Sequence, residues 1–158
     1  MPRVSAGLLM YRIAGGNLQV LLAHPGGPFF RNKDDGAWSI PKGEVEPGED
    51  LLEGAKREFA EETGFAPTGP FIALKLVKQK GGKTIHAWAF EGDCNPSTIV
   101  SNTFTLEWPP RSGRRMEFPE IDRAAFFDLA AARKKINPGQ AALIDELEVI
   151  RRRTHGGS

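Results

Sequence analysis

The sequence predicts an α+β fold built as one domain, and three observations carry that expectation. Two apolar, strand-like runs stand together near the N-terminus. A single acidic helical segment covers residues 51–63. Several short strand-like runs follow, and an amphipathic helix closes the chain. At 158 residues the chain has room for one sizeable core. It contains no internal repeat and no linker composition, so residues 1–153 are expected to form one domain and 154–158 a frayed tail.

Residues 4–13 (VSAGLLMYRI) form the first expected strand, buried on both faces around Leu8 and Leu9. Gly15-Gly16-Asn17 is a turn signal, and residues 18–23 (LQVLLA) supply the return strand of a hairpin. Residues 24–36 form a loop carrying Phe29 and Phe30 beside Arg31 and Lys33. Aromatic rings among cations can stack a nucleobase and hold phosphate; the competing expectation is that the two phenylalanines fold back as a small satellite core. Residues 37–40 look like a short strand interrupted by Pro41-Lys42-Gly43.

Pro47-Gly48-Glu49-Asp50 turns into the acidic helix, which Gly64 stops. Beyond it, residues 71–79 and 83–91 are expected strands separated by Gly81-Gly82, with His86 an interior or site-wall residue. Residues 98–108 contain another strand, ended by Pro109-Pro110. Residues 111–115 (RSGRR) are a basic loop that could contact substrate phosphates, with an ordinary solvated surface the preferred expectation. Residues 123–129 form a further strand with an alanine-rich turn after it, and Ala141, Leu143, Ile144, Leu147 and Ile150 recur at helical spacing.

Composition narrows the function. A net charge of +1 provides no global field for nucleic acid or a membrane surface, which argues against both as partners. No apolar stretch reaches the length of a membrane span and no signal peptide is evident, so the expected compartment is cytoplasmic. The lone Cys94 excludes an internal disulfide and sits in a turn without a nearby histidine, so it is not expected to be a nucleophile. A monomer or a homodimer is compatible with all of this.

The acidic helix carries the chemistry. At about 100° per residue, Glu58, Glu61 and Glu62 point within roughly 100° of one another, at the border of an apolar stripe made by Leu51, Leu52, Ala55 and Phe59. Like charges so spaced repel, and partial burial removes the water that would screen them. Three glutamates on a helix ordinarily mean a wet face. At the edge of a buried one, they suit a hard divalent cation with oxygen ligands. A carboxylate cluster without thiols or clustered histidines favours magnesium, with manganese as a substitute, over zinc.

The order Gly43, five residues, Glu49, seven residues, Arg57-Glu58-Phe59, one residue, Glu61-Glu62, one residue, Gly64-Phe65 resembles the Nudix box of the MutT-type pyrophosphohydrolases, and every fixed position of that pattern is met. The resemblance implies an α/β/α sandwich with a mixed sheet between helices. It also implies hydrolysis of a nucleoside diphosphate linked to another moiety. Carried onto matching positions, Glu58 and Glu62 would be the main metal ligands, with the Gly43 carbonyl completing them. Glu61 would be a further ligand or the base that orients water. Glu49 would pair with Arg57 to fix the helix against the loop, and Lys42 could neutralise a phosphate oxygen. Family members often recruit one more glutamate from outside the box. Glu117 is the first candidate, Glu120 the second and Glu107 the third.

The run through Trp38-Ser39-Ile40-Pro41-Lys42-Gly43 is similar to the branch containing diadenosine tetraphosphate hydrolases, which makes a dinucleoside polyphosphate the expected substrate. A pool-cleaning nucleoside triphosphate pyrophosphohydrolase and a non-catalytic nucleotide-binding module are the alternatives. The intact acidic positions speak against the last of these.

Overall fold

Strand β1 (Val4–Ala14) is the axis of the molecule, because its two faces are both apolar and both need covering. Ala6, Leu8 and Met10 point to one side, and Leu9 and Tyr11 to the other. The computed structural model describes residues 3–155, with side chains described as far as residue 153. β1 returns through the expected glycine turn into β2 (Asn17–Pro25), pairing antiparallel from Tyr11–Val20 to Ala14–Asn17.

Next come β3 (Lys42–Glu44), α1 (Leu51–Thr63), β4 (Ile72–Ala73), β5 (Val77–Gln79) and β6 (Lys83–Glu91). β7 (Thr103–Glu107), β8 (Arg115–Pro119), β9 (Ile121–Asp128), α2 (Leu129–Lys135) and α3 (Ala141–His155) complete the chain. The main sheet has the order β4-β6-β1-β2-β9, with β3 added to β1 and β5 to β6. β1 and β6 run parallel and the other pairs antiparallel, so the sheet is mixed. β7 and β8 form a separate hairpin.

One core lies under α1, where Ala55 and Phe59 meet Ala6, Leu8, Met10, Leu21 and Phe90. The other lies under α2 and α3, where Ala132, Ile136, Leu143, Ile144 and Leu147 cover Leu9, Val20, Leu22, Trp38 and Ile40. Helices thus cover both faces of the sheet, the expected sandwich. Among the described residues no helix is long and apolar enough to cross a membrane.

Phe59 fixes α1 on the sheet. It is fully buried and meets Phe90 edge to face at 5.4 Å between ring centres. Phe59→Ala is expected to lose about 3–5 kcal/mol of stability in urea unfolding. A loss below about 1 kcal/mol would mean that α1 is held by other contacts.

Four local expectations need correction. Residues 37–40 form no strand: Trp38 and Ser39 make isolated bridges to Ile136 and Ala23, and the strand is instead Lys42–Glu44, paired with residues 5–7 of β1. The run 71–79 is two strands. Four steps separate Ala73 from Val77, but only three separate their partners Trp88 and Ile85, and the extra residue breaks the ladder. The run 98–108 does contain a strand, Thr103–Glu107. The alanine-rich turn is helix α2, capped by the Asp128 carboxylate on the Ala131 N–H. α3 runs on to His155, two residues into the anticipated tail, whose remainder (156–158) lies outside the described residues.

Candidate active site

The caps of α1 set its register. The Asp50 carboxylate accepts from the Glu53 N–H, and Gly64, in the left-handed region, donates its N–H to the Ala60 carbonyl. With Ala55 and Phe59 committed to the sheet, Glu58 and Glu62 are turned toward β3. Glu62 is 8% exposed and accepts a hydrogen bond from the Lys42 backbone N–H at 3.3 Å. Glu58 lies against Gly43, where a Cβ would collide with its carboxyl group, so the glycine is what lets Glu58 approach this closely.

The electrostatics follow from this packing. Burial, then the charge of Glu58, pushes the Glu62 carboxyl up to about 8. Burial raises Glu58 as well, against the pull of Arg57. Burial, then the charge of Lys83, lowers the Lys42 ammonium.

Arg57 binds the box together. Its Nε and Nη2 donate to the two Glu49 carboxylate oxygens at 2.7 and 3.0 Å. Its Nη1 donates to Glu58 Oε1 at 2.9 Å and to Glu61 Oε2 at 3.2 Å. The guanidinium therefore reaches into the carboxylate cluster, nearer its centre than a purely architectural clamp would.

The Arg57 hydrogen bonds hold the Glu49 carboxyl down at about 2. A carboxyl depressed by folding adds stability above its free value near 4.5, and that contribution is lost as pH falls from there toward 2. Glu49→Gln is expected to lower the urea midpoint at neutral pH and to flatten its fall between about pH 5 and pH 2. A variant with the wild-type acid slope would remove this pair from the pH response.

The three candidate glutamates outside the box lie at different distances from it. Glu117 is exposed on β8, opposite Thr105 in the outer hairpin. Glu107, at the far end of β7, accepts from the Arg111 N–H. Glu120 lies at the exposed rim of the site, and its charge is felt by Lys42, Glu58 and Glu62. Partial burial raises its own carboxyl, and Lys42 opposes the rise. Backbone bonds fix it: Glu120 N–H donates to the Asn102 carbonyl at 2.9 Å, and its carbonyl accepts from Gly26 N–H at 2.9 Å.

Next to Lys42 opens a cleft of about 630 Å³ lined by Arg3, Phe30, Lys42, Lys78, Lys80 and Lys83, among others. Its size is ordinary for a small-molecule site. Of the loop residues singled out in the sequence, Phe30 lines it. Phe29 turns away to meet Trp108, and Arg31 is exposed on the same loop. Arg3, Lys78, Lys80 and Lys83 were missed, although three lysines within six residues of a glycine turn were a visible signal. A larger groove of about 840 Å³ lies at the other end of β1, lined by Ile13, Leu18, Leu129 and Arg152, and no residue of the box reaches it.

Residues 1–147 match the family model of the NUDIX domain. The chain belongs to the NUDIX family. Its box is thus the Gly43–Phe65 stretch on β3 and α1. Bis(5'-nucleosyl)-tetraphosphatase [asymmetrical] of Rattus norvegicus is 40% identical over 60 residues, 34% of this chain; the match spans 41% of that protein. Among solved structures, this Nudix chain is similar to C. elegans Ap4A hydrolase, with a TM-score of 0.65 and 21% identity over 95% of this chain and 98% of that one. A mutT/nudix family protein from Listeria innocua gives a TM-score of 0.66 at 16% identity, covering 100% and 99% of the two chains. The NUDIX domain of Shewanella oneidensis NrtR, complexed with ADP ribose, gives 0.64 at 15% identity over 96% and 88%. At these identities the structural likeness bears on the fold.

The Nudix family generally uses divalent metal ions, and the donor chemistry here fits one. Glu58 and Glu62 offer oxygen only, Glu62 is a buried carboxylate in want of a counter-charge, and Gly43 leaves its backbone open to Glu58. Among the described residues no three acidic, histidine or cysteine side chains already converge as a finished cage.

Proposed function

We propose that this Nudix domain is a magnesium-dependent pyrophosphohydrolase of nucleoside polyphosphates, with a dinucleoside polyphosphate such as diadenosine tetraphosphate as its preferred substrate. One juxtaposition carries the reading: the pair of buried Glu62 and half-buried Glu58, the latter against Gly43, stands beside a cleft bearing four lysines and Arg3. An acidic cluster alone holds a cation, and a basic cleft alone holds any polyanion. Side by side they suit a ligand whose phosphates bridge the two.

Glu58, Glu62 and the Gly43 carbonyl would hold the cation, with Glu61 as a further ligand or the base that orients water. When bound, the cation neutralises charge on the phosphoryl oxygens and lowers the pKa of attacking water. The cleft lysines bind and orient the phosphate chain, and Phe30 offers a face for a base. Glu120, at the rim facing Lys42, takes the assisting part first assigned to Glu117. The rat relative named for tetraphosphate cleavage supports the choice of substrate, on 41% of its length.

The test is a magnesium-dependent screen of dinucleoside polyphosphates, nucleoside triphosphates and ADP-ribose, with products resolved by chromatography. Diadenosine tetraphosphate should give the highest kcat/KM, and activity should vanish with EDTA and return with magnesium or manganese. Faster turnover of a nucleoside triphosphate would favour the pool-cleaning reading. Binding without turnover in every arm would favour a silent nucleotide-binding module.

A further inference from the structure

The β7–β8 hairpin is not used by the reading above, yet it is anchored on the site. Asn102 N–H, at its root, donates to the Glu61 carbonyl at 2.8 Å, and Val100 N–H donates to Thr63 at 2.9 Å, both at the end of α1. At its other root, Gly26 packs so tightly on the Pro119 carbonyl that a Cβ would collide with it, and Phe104 of β7 covers Gly27. The loop carrying Phe29 and Phe30 is therefore clamped to the hairpin.

Phe30 faces the lysine-lined cleft, while Phe29, 60% exposed, meets Trp108 edge to face at 5.5 Å. Trp108 closes β7, five residues from the root at Thr103, or about 17 Å along an extended strand. Arg111, Arg114 and Arg115 are exposed in the segment that follows it, and the Trp108 N–H donates to the Arg114 carbonyl at 2.9 Å. An exposed phenylalanine ring against a half-buried tryptophan, one residue along the chain from the Phe30 that lines the cleft, has the composition of a nucleotide platform.

We propose that the Phe29–Trp108 pair is a second base-binding site, which takes the nucleoside at the far end of the polyphosphate chain whose near end lies in the cleft. The inference rests on the nucleotide reading of the cleft and deepens it: it makes Trp108 a determinant of selectivity for dinucleotides over mononucleotides. The hairpin arginines supply counter-charge where the chain leaves the cleft. If the pair only pins the hairpin to the loop, its removal affects all substrates alike.

The experiment compares diadenosine tetraphosphate with adenosine 5'-tetraphosphate, which has the same phosphate count and one base fewer. Steady-state kinetics with magnesium are paired with calorimetric binding in EDTA. In Trp108→Ala the ratio of kcat/KM for the dinucleotide to that for the mononucleotide should fall about tenfold, through KM, and the ratio of affinities should fall alongside it. Phe29→Ala should shift the ratio the same way, and Trp108→Phe should restore most of it. Ratios unchanged within about twofold in both alanine variants would overturn the proposal and leave the hydrolase reading standing. Wild-type protein that neither binds nor cleaves either compound would overturn both.

Discussion

Glu62→Gln is expected to lower kcat by about 10³-fold and, at the same time, to raise the melting temperature of the metal-free protein at pH 8 by about 5 °C. The two effects have one origin. Glu62 is buried beside Glu58, and its carboxyl is pushed up to about 8. In the unfolded chain it ionises near 4.5, so metal-free folded protein loses stability as pH rises from there toward 8. Glutamine keeps the shape and can still accept the Lys42 N–H, but it carries no charge to desolvate. A bound divalent cation would reverse the ranking by compensating the wild-type carboxylate, so magnesium should raise the wild-type melting temperature more than that of the variant. Metal-free melting curves between pH 5 and 8 and turnover at saturating magnesium measure both. A variant with normal turnover would remove Glu62 from the site, and one no more stable at pH 8 would show that the carboxylate costs the fold nothing.

The elements with local signatures were readable from sequence. α1 carries its period, its Asp50 cap and its Gly64 stop within fifteen residues, and the first hairpin and the last helix announce themselves equally directly. What stayed hidden depends on partners distant in the chain. β3 contains the lysine and glycine that read as breakers, and it is a strand only because β1 offers residues 5–7 as a template. The position of Glu120 at the rim is set by backbone bonds to Asn102 and Gly26, neither of which is near it in sequence. Lys78, Lys80 and Lys83 look like a solvated turn until β5 and β6 bring them beside Lys42. Local capping and periodicity placed the carboxylates, while pairing at a distance decided what faces them.

Gly43→Ala should abolish most activity, by about 10²-fold or more, while moving the melting temperature by only about 2–4 °C. A Cβ at this position meets the end of the Glu58 side chain, a group that can swing aside by rotamer changes without displacing backbone. The strand itself should survive, because β3 is held by its pairing with residues 5–7 and has no requirement for a positive φ at Gly43. What is lost is the close approach of Glu58 to the Gly43 backbone, on which the proposed oxygen donor set depends. Gly26→Ala is the contrasting control, because there the collision is with the Pro119 backbone carbonyl and the cost falls on the fold itself. If Gly43→Ala instead unfolded the protein as readily as Gly26→Ala, the glycine would be serving the strand. If it retained wild-type turnover, Glu58 would not act from its place against β3.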